Sequence, residues 1–152
     1  IYLNLPDSRK IAVIDREKHR VITTWKTDDA FANFPMALDE PDHLLFVVTR
    51  APARLLVLDT NHGTIIQRLP AVGDCDDVFY DQTRKRIYAS GGDGEIFVFQ
   101  QQDPGHYAQA SRIPTAKGAR TSLFSPDFDR LFLAARRQGS QPAAIQVFAP
   151  AP

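Results

Sequence analysis

Charged side chains gather in two short segments that separate apolar stretches of this chain. The acidic segment reads GDCDD (residues 73–77) and the basic one reads AKGART (residues 116–121). A guanidinium group can grip a carboxylate through two parallel hydrogen bonds, and an aromatic ring adds an apolar wall. An acid, a base and an aromatic residue around one opening therefore predict a site for a small anionic or zwitterionic ligand, with Arg120 as the clamp. The candidate ligand-binding residues are Phe34, Arg50, Asp74, Asp76, Asp77, Lys117, Arg120 and Arg136.

Three other interpretations of the acidic segment stay open. Its carboxylates and the nearby arginines can pair with one another and so hold neighbouring structural units together. Asp76 and Asp77 can instead accept hydrogen bonds from backbone N–H groups where a strand begins. Three acids within four residues also suit Ca²⁺, but their spacing matches no EF-hand loop. We predict neither a metal site nor a cofactor.

Other reactive groups do not converge. Cys75 lies between carboxylates, which raise the pKa of a thiol and disfavour a nucleophile. The segment Gly91–Gly94 is followed by a strand pattern rather than a helix, so it fails as a phosphate-binding loop. The histidines lie in separate turns, where we expect solvated side chains and no catalytic or metal-binding cluster. They are His19, His43, His62 and His106.

These segments recur because the chain is built from repeats. IYLNLPDSRKIAVID (residues 1–15) aligns with LFVVTRAPARLLVLD (residues 45–59), and two further copies begin at Arg86 and Arg130. Each unit holds four short apolar segments whose period-2 alternation indicates strands. A period of roughly 43 residues with four strands is typical of a β-propeller blade. A stacked β-sandwich is the less favoured alternative, because it does not need such regular recurrence.

We name the strands of a blade A to D, from the propeller axis outward. The chain then reads B-C-D, two complete blades, and A-B-C, which predicts fourteen strands and almost no helix. We therefore predict an all-β fold, a β-propeller fragment of about three and a half four-stranded blades. It forms a single half-propeller, residues 1–152, with repeats at approximately 1–30, 31–73, 74–117 and 118–152.

The strand assignment sorts the loops by end. The D–A and B–C loops fall at one end of the blades, and the A–B and C–D turns fall at the other. Aligning the repeats puts Phe34, Asp76 and Arg120 at equivalent positions where strand A begins, around one mouth of the axis. All four histidines fall at the opposite end or at the rim.

The repeat resembles that of the YVTN-repeat, YncE-like bacterial β-propellers. The matching motifs are Val72-Gly73, Phe124–Asp127, Ile87-Tyr88, Leu55–Asp59 and Ile11–Asp15. The resemblance implies a fold that usually has seven blades and is often secreted, so we expect a periplasmic or extracellular protein, with the cytoplasm not excluded. It also implies that the outermost strand of the last blade comes from the N-terminus of the same chain.

Composition narrows the partners. The 152 residues carry 18 basic and 18 acidic side chains, a net charge of zero, so nothing steers the chain toward nucleic acid or an anionic membrane. The sequence has no membrane-spanning stretch, no signal peptide and no initiator Met, which leads us to expect a processed chain or a piece of a longer one. With one cysteine it cannot form an internal disulfide.

Together these patterns favour a non-enzymatic binding or scaffold propeller of unknown ligand. The alternative is a hydrolase or lyase resembling the lactonases, acting at the upper mouth; a half-propeller with no ligand is the third possibility. Open strand edges are an aggregation hazard, so we expect a partner that closes the ring. A homodimer is the simplest partner, and the missing half of the propeller is the other. A symmetric pair would make eight blades, and a seven-bladed ring cannot be two-fold symmetric.

Overall fold

The computed structural model describes residues 1–151, and nearly all of its regular structure is antiparallel β-sheet. The only helical element in this range is a 3₁₀ turn at Pro6–Ser8. The fourteen strands are β1 (Tyr2–Leu5), β2 (Lys10–Asp15), β3 (Arg20–Lys26), β4 (Phe31–Asp39), β5 (Leu44–Ala51), β6 (Ala53–Asp59), β7 (Thr64–Pro70), β8 (Cys75–Asp81), β9 (Arg86–Gly91), β10 (Glu95–Asp103), β11 (His106–Pro114), β12 (Ser122–Ser125), β13 (Arg130–Ala135) and β14 (Ala144–Phe148).

The strands form four separate sheets, each made of consecutive strands. Blade 1 is β1-β2-β3, blade 2 is β4-β5-β6-β7, blade 3 is β8-β9-β10-β11, and blade 4 is β12-β13-β14. The predicted all-β fold is therefore confirmed, with fourteen strands and two complete four-stranded sheets. Among residues 1–151 there is also no helix long and apolar enough to cross a membrane.

Short, tight turns join the strands of each blade. In the A–B turn of blade 3, Asp81 Oδ1 accepts the backbone N–H groups of Thr83 and Arg84 at 3.0 and 3.1 Å. The residue that closes this turn, Lys85, has a φ of 54°, in the left-handed region. His43 closes the A–B turn of blade 2 in the same way, also at 54°. An Asx turn followed by one left-handed residue reverses the chain tightly enough for neighbouring strands to pair.

The hydrophobic core lies between the blades, because the blades stack face to face. In β5, Leu45 and Val47 point toward blade 1, while Phe46 and Val48 point toward blade 3. All four side chains are at most 1% exposed. The strands of a central blade therefore do not alternate between apolar and polar residues, because both faces of that blade are buried.

The outer face of blade 1 carries the same kind of residue without a neighbour. The strand register aligns Ile1 and Leu3 with Leu45 and Val47 of blade 2. Leu45 and Val47 are 1% and 0% exposed, whereas Ile1 and Leu3 are 62% and 49% exposed. These two positions are buried wherever a preceding blade is present.

Blade 4 shows the same contrast on its opposite face. Ile145 and Val147 align with Ile96 and Val98 of blade 3, which pack against blade 4. Ile96 and Val98 are 0% and 7% exposed, and Ile145 and Val147 are 62% and 55% exposed. Blade 1 and blade 4 therefore each have an exposed apolar face with no blade packed against it. The two faces lie on opposite sides of the row of four blades.

Candidate functional site

The loops are divided between the two ends of the blades as predicted. At one end the B–C turn meets the D–A loop, since Gly92 N–H donates to the Asp74 carbonyl at 3.0 Å. At the other end the C–D turn meets the A–B turn, since Thr60 N–H donates to the His43 carbonyl at 2.9 Å. We call the first end the mouth and define it by Phe34, Arg50, Asp74, Asp76 and Arg120.

Two arginines and two aspartates form a closed ring of ion pairs at the mouth. Arg50 of blade 2 binds both carboxylates: its Nη1 lies 3.1 Å from Asp74 Oδ1, and its Nη2 donates to Asp76. Arg120, just before blade 4, does the same: its Nε lies 2.8 Å from Asp76 Oδ2, and its Nη1 donates to Asp74. This quartet spans three successive blades and has no net charge.

Local backbone features place these groups. Asp74 has a φ of 51°, which turns the chain into β8. A register shift between Cys75 and Asp77 then leaves Asp76 outside the strand ladder. A similar shift lies between Asn33 and Met36, on either side of Phe34. A bulge re-aims a side chain at the rim of a sheet, so it explains why equivalent positions reach the mouth.

The aromatic member of the site packs on one of the arginines. Arg50 Cζ lies 4.6 Å from the centroid of the Phe34 ring, a cation–π arrangement. The Phe34 side chain remains 48% exposed. The pKa of Arg120 is raised above its usual value, chiefly because Asp74 accepts its hydrogen bond. The mouth is therefore a half-buried, self-neutralised group of charges beside one exposed aromatic ring.

The three remaining candidate residues do not join the quartet. Asp77 turns toward blade 4, where its Oδ2 accepts the Ser122 backbone N–H at 2.7 Å. Burial raises the pKa of Asp77, and the hydrogen bond from Ser122 opposes that rise. Gln138 donates to the Lys117 carbonyl, and the Arg136 guanidinium lies against Gly118.

Cys75 is enclosed in the core between blades 2 and 3, with 0% exposure. Its pKa is raised to about 12, and the main cause is burial. The neighbouring carboxylates of Asp76 and Asp77, which are the cause predicted from the sequence, also raise this pKa but contribute less than burial. A buried, protonated thiol is a packing residue.

The histidines sit in turns at the end opposite the mouth. His62 Nδ1 lies 2.5 Å from Asp59 Oδ2, and His106 Nδ1 lies 2.6 Å from Asp103 Oδ1. Both pairs are local to one C–D turn. Within residues 1–151, no group of three or more His, Cys, Asp or Glu side chains is arranged to hold a metal ion.

Sequence reasoning missed a second set of ion pairs, between the A–B turns of adjacent blades. Lys85 Nζ lies 2.8 Å from Asp42 Oδ2, and Arg84 Nη1 lies 2.7 Å from Asp129 Oδ1. These pairs tie blade 2 to blade 3 and blade 3 to blade 4. The sequence does carry a signal for these pairs, because residues of opposite charge lie in A–B turns that are one repeat apart.

Comparisons with known proteins identify the architecture. Hydrazine synthase from Kuenenia stuttgartiensis matches 97% of this chain over 42% of its own length, with a TM-score of 0.83 and 16% identity. A putative 6-phosphogluconolactonase from Bacteroides uniformis matches 97% of this chain over 51% of its own, with a TM-score of 0.73 and 14% identity. The Pan2 WD40 domain from Neurospora crassa matches 92% of this chain over 42% of its own, with a TM-score of 0.64 and 16% identity.

At these identities the likeness shows the fold alone, which is that of a β-propeller. The chain spans between two fifths and about half of the length of these three structures. No family model matches the chain. No curated protein matches it by sequence either.

Proposed function

We propose that this chain supplies four blades of a larger β-propeller that works as a non-enzymatic binding scaffold. The observation that carries the proposal is the pair of open blade faces. Ile145 and Val147 at one end, and Ile1 and Leu3 at the other, are exposed, although their counterparts in blades 2 and 3 are buried. Contiguous exposed apolar surface of this kind marks an interaction site.

The simplest partner is a second copy of this chain. The face of blade 4 would meet the face of blade 1 of the other protomer, and the same contact would form twice around a two-fold axis. A polypeptide carrying the remaining blades is the other possible partner. Membership of the YVTN-repeat family and a periplasmic or extracellular location belong to this proposal, and they rest on the repeat motifs.

Sedimentation velocity tests the assembly directly. We expect the purified chain at micromolar concentration to sediment as a discrete dimer, because a stable interface must cover both open faces. A stable, non-aggregating monomer over the whole concentration range would refute self-closure and leave a different polypeptide as the partner.

The mouth is the surface we propose for ligand recognition. Arg50 and Arg120 each hold two carboxylates, so a small dicarboxylate or zwitterion can take over hydrogen bonds that Asp74 and Asp76 now accept. Phe34 would cover the apolar part of the ligand. Catalysis by a hydrolase or lyase is the less favoured reading, because the carboxylates at the mouth already pair with arginines.

Replacing Arg120 separates recognition from simple blade tethering. We expect Arg120→Ala to weaken binding of any dicarboxylate or amino acid that stabilises the wild type by about tenfold or more. A thermal-shift titration with a panel of such compounds measures both the binding and the melting temperature.

His43→Ala, at the opposite end, is the matched control and should leave binding unchanged. If Arg120→Ala lowers the melting temperature while binding keeps its affinity, the quartet only ties the blades together. Loss of binding in His43→Ala alone would place the site at the other end.

A further inference from the structure

The charges of this chain are divided unequally between the two ends of the blades. Each charged side chain of residues 1–151 lies in a loop or near the end of a strand, so it belongs either to the end that holds the mouth or to the opposite end. Eleven of the 18 basic side chains lie at the mouth end, but only eight of the 18 acidic ones do. With histidine counted as neutral, the mouth end carries a net side-chain charge of +3 and the opposite end −3.

Ion pairs account for only part of the charge at the mouth end. The quartet cancels itself, because it joins two arginines to two carboxylates. Three further ion pairs at this end each join one arginine to one carboxylate: Arg54–Asp29, Arg68–Asp28 and Arg112–Glu95. The excess positive charge therefore comes from side chains outside these pairs.

Three unmatched cations lie on two loops beside the quartet. Lys117 belongs to the D–A loop before blade 4, and Arg136 and Arg137 belong to the B–C loop of blade 4. Among residues 1–151, none of the three has a carboxylate within ion-pair distance. The two loops are joined, because Gln138 donates to the Lys117 carbonyl and the Arg136 guanidinium lies against Gly118. We call these three cations the basic rim.

The repeat explains why the basic rim has no counter-charge. The strand register places Asp74 and Gly92 of blade 3 at the positions that Gly118 and Arg136 occupy in blade 4. In blade 3 the carboxylate lies over the glycine, whereas in blade 4 the guanidinium does. Blade 4 therefore has a glycine where blade 3 has an acid. Asp93, in the neighbouring B–C turn, lies against the D–A loop that precedes blade 3.

Blade 2 shows what an arginine at this position binds. Arg50 stands in blade 2 where Arg136 stands in blade 4, one residue beyond the equivalent strand pairs. Arg50 binds the carboxylates of Asp74 and Asp76. An arginine at this place in a blade is therefore oriented to hold an oxyanion.

An anion gains more at the basic rim than at the quartet. At the quartet it must displace a carboxylate that already accepts hydrogen bonds from an arginine, so the bonds that form and break nearly cancel. At the basic rim it displaces only water and forms charge-assisted hydrogen bonds that no carboxylate of residues 1–151 supplies. The net positive charge of the mouth end also raises the local concentration of anions.

We propose that the basic rim captures the ligand of the mouth and selects a small molecule with at least two acidic groups. One acidic group binds Arg136 and its neighbours, and the other reaches Arg120, which follows Gly118 by two residues. A zwitterion is disfavoured, because its ammonium group is repelled at this end. The inference rests on the proposed recognition at the mouth and narrows its ligand from a dicarboxylate or zwitterion to a small polyanion.

Isothermal titration calorimetry of the full chain with tripolyphosphate tests the basic rim, because this probe has several acidic groups and no apolar part. We expect saturable binding at low salt that weakens about tenfold or more in roughly 0.2 M NaCl. Glutarate should displace the probe at concentrations at least about tenfold lower than 5-aminopentanoate, a zwitterion of similar length.

Two matched double variants locate the binding. Arg136→Glu combined with Arg137→Glu should weaken tripolyphosphate binding by about tenfold or more. Arg16→Glu combined with Arg20→Glu changes the net charge equally with two exposed arginines of the opposite end, and it should leave binding within about threefold of wild type. Circular dichroism melting verifies that both variants fold.

Loss of binding in the rim variant alone supports the proposal. Equal loss in both double variants, or retained binding in the rim variant, would overturn it. So would the absence of tripolyphosphate binding by the folded wild type, or displacement by 5-aminopentanoate as effective as that by glutarate. The Arg120→Ala titration is scored separately, so failure at the basic rim leaves recognition by the quartet standing.

Discussion

The change Phe46→Ala should lower the free energy of unfolding by about 3–5 kcal/mol, the range for truncating a fully buried phenylalanine. Phe46 has 0% exposure and lies at the centre of the junction between blades 2 and 3. Its ring centroid is 5.0 Å from that of Tyr80 and 5.2 Å from that of Tyr107. Alanine would remove both aromatic contacts and leave a cavity between two rigid sheets, which cannot close over it.

Urea denaturation of the two proteins at equal concentration measures this difference. Phe128→Ala is the matched control, because Phe128 is 73% exposed and its truncation should change stability by less than about 0.5 kcal/mol. A loss below about 1 kcal/mol for Phe46→Ala would show that this junction is not the main core.

The change Ile145→Asp should weaken association with the closing partner by about a hundredfold or more. Ile145 is 62% exposed in the isolated chain, at a position that is buried in blade 3. Covering an aspartate there would bury a charge without a partner, which costs several kcal/mol. The isolated chain should keep its stability, because the side chain faces solvent before assembly.

Sedimentation velocity over a concentration series gives the dissociation constants. Ile66→Asp is the matched control: Ile66 is also an exposed isoleucine, 41% accessible, but it lies on the outer strand of a complete blade. That variant should associate like wild type. If the two variants behave alike, the face of blade 4 is not where the partner binds.

The sequence was sufficient to predict the strand order, because the repeat supplies several copies of one pattern. Leu45 and Val47 in blade 2 define positions that Ile1 and Leu3 occupy in blade 1, and the two pairs have the same strand register. The alternation of apolar residues, the turn residues and the repeat spacing all predict the same order of strands. A sequence whose local and global features agree in this way specifies one fold.

The candidate site was harder to predict. Its equivalent positions followed from the repeat, but which charges pair depends on long side chains and on the bulge beside Cys75. Asp77 differs from Asp76 by one position, yet it turns to the neighbouring blade and accepts a backbone hydrogen bond. In a strand, successive residues face opposite ways, so one position decides which surface a carboxylate serves.

Tyr107 lies on the outer strand of blade 3 but packs in the core between blades 2 and 3, where it is 2% exposed. Two backbone hydrogen bonds with the side chain of Gln67, at 2.8 and 2.9 Å, hold β11 close to blade 2. That contact joins residues 40 positions apart, beyond the reach of any local pattern.

Burial of both faces of blades 2 and 3 has a consequence for cooperativity. Each core cluster joins two neighbouring blades, so unfolding resembles that of a linear array, in which stability sums over units and the junctions between them. The central blades share two junctions each and the terminal blades share one, so opening begins by fraying at the ends. Closing the ring would remove the ends altogether. Unfolding of any one blade would then require breaking two junctions at once. The blades would therefore unfold together as one cooperative unit rather than one after another from the ends.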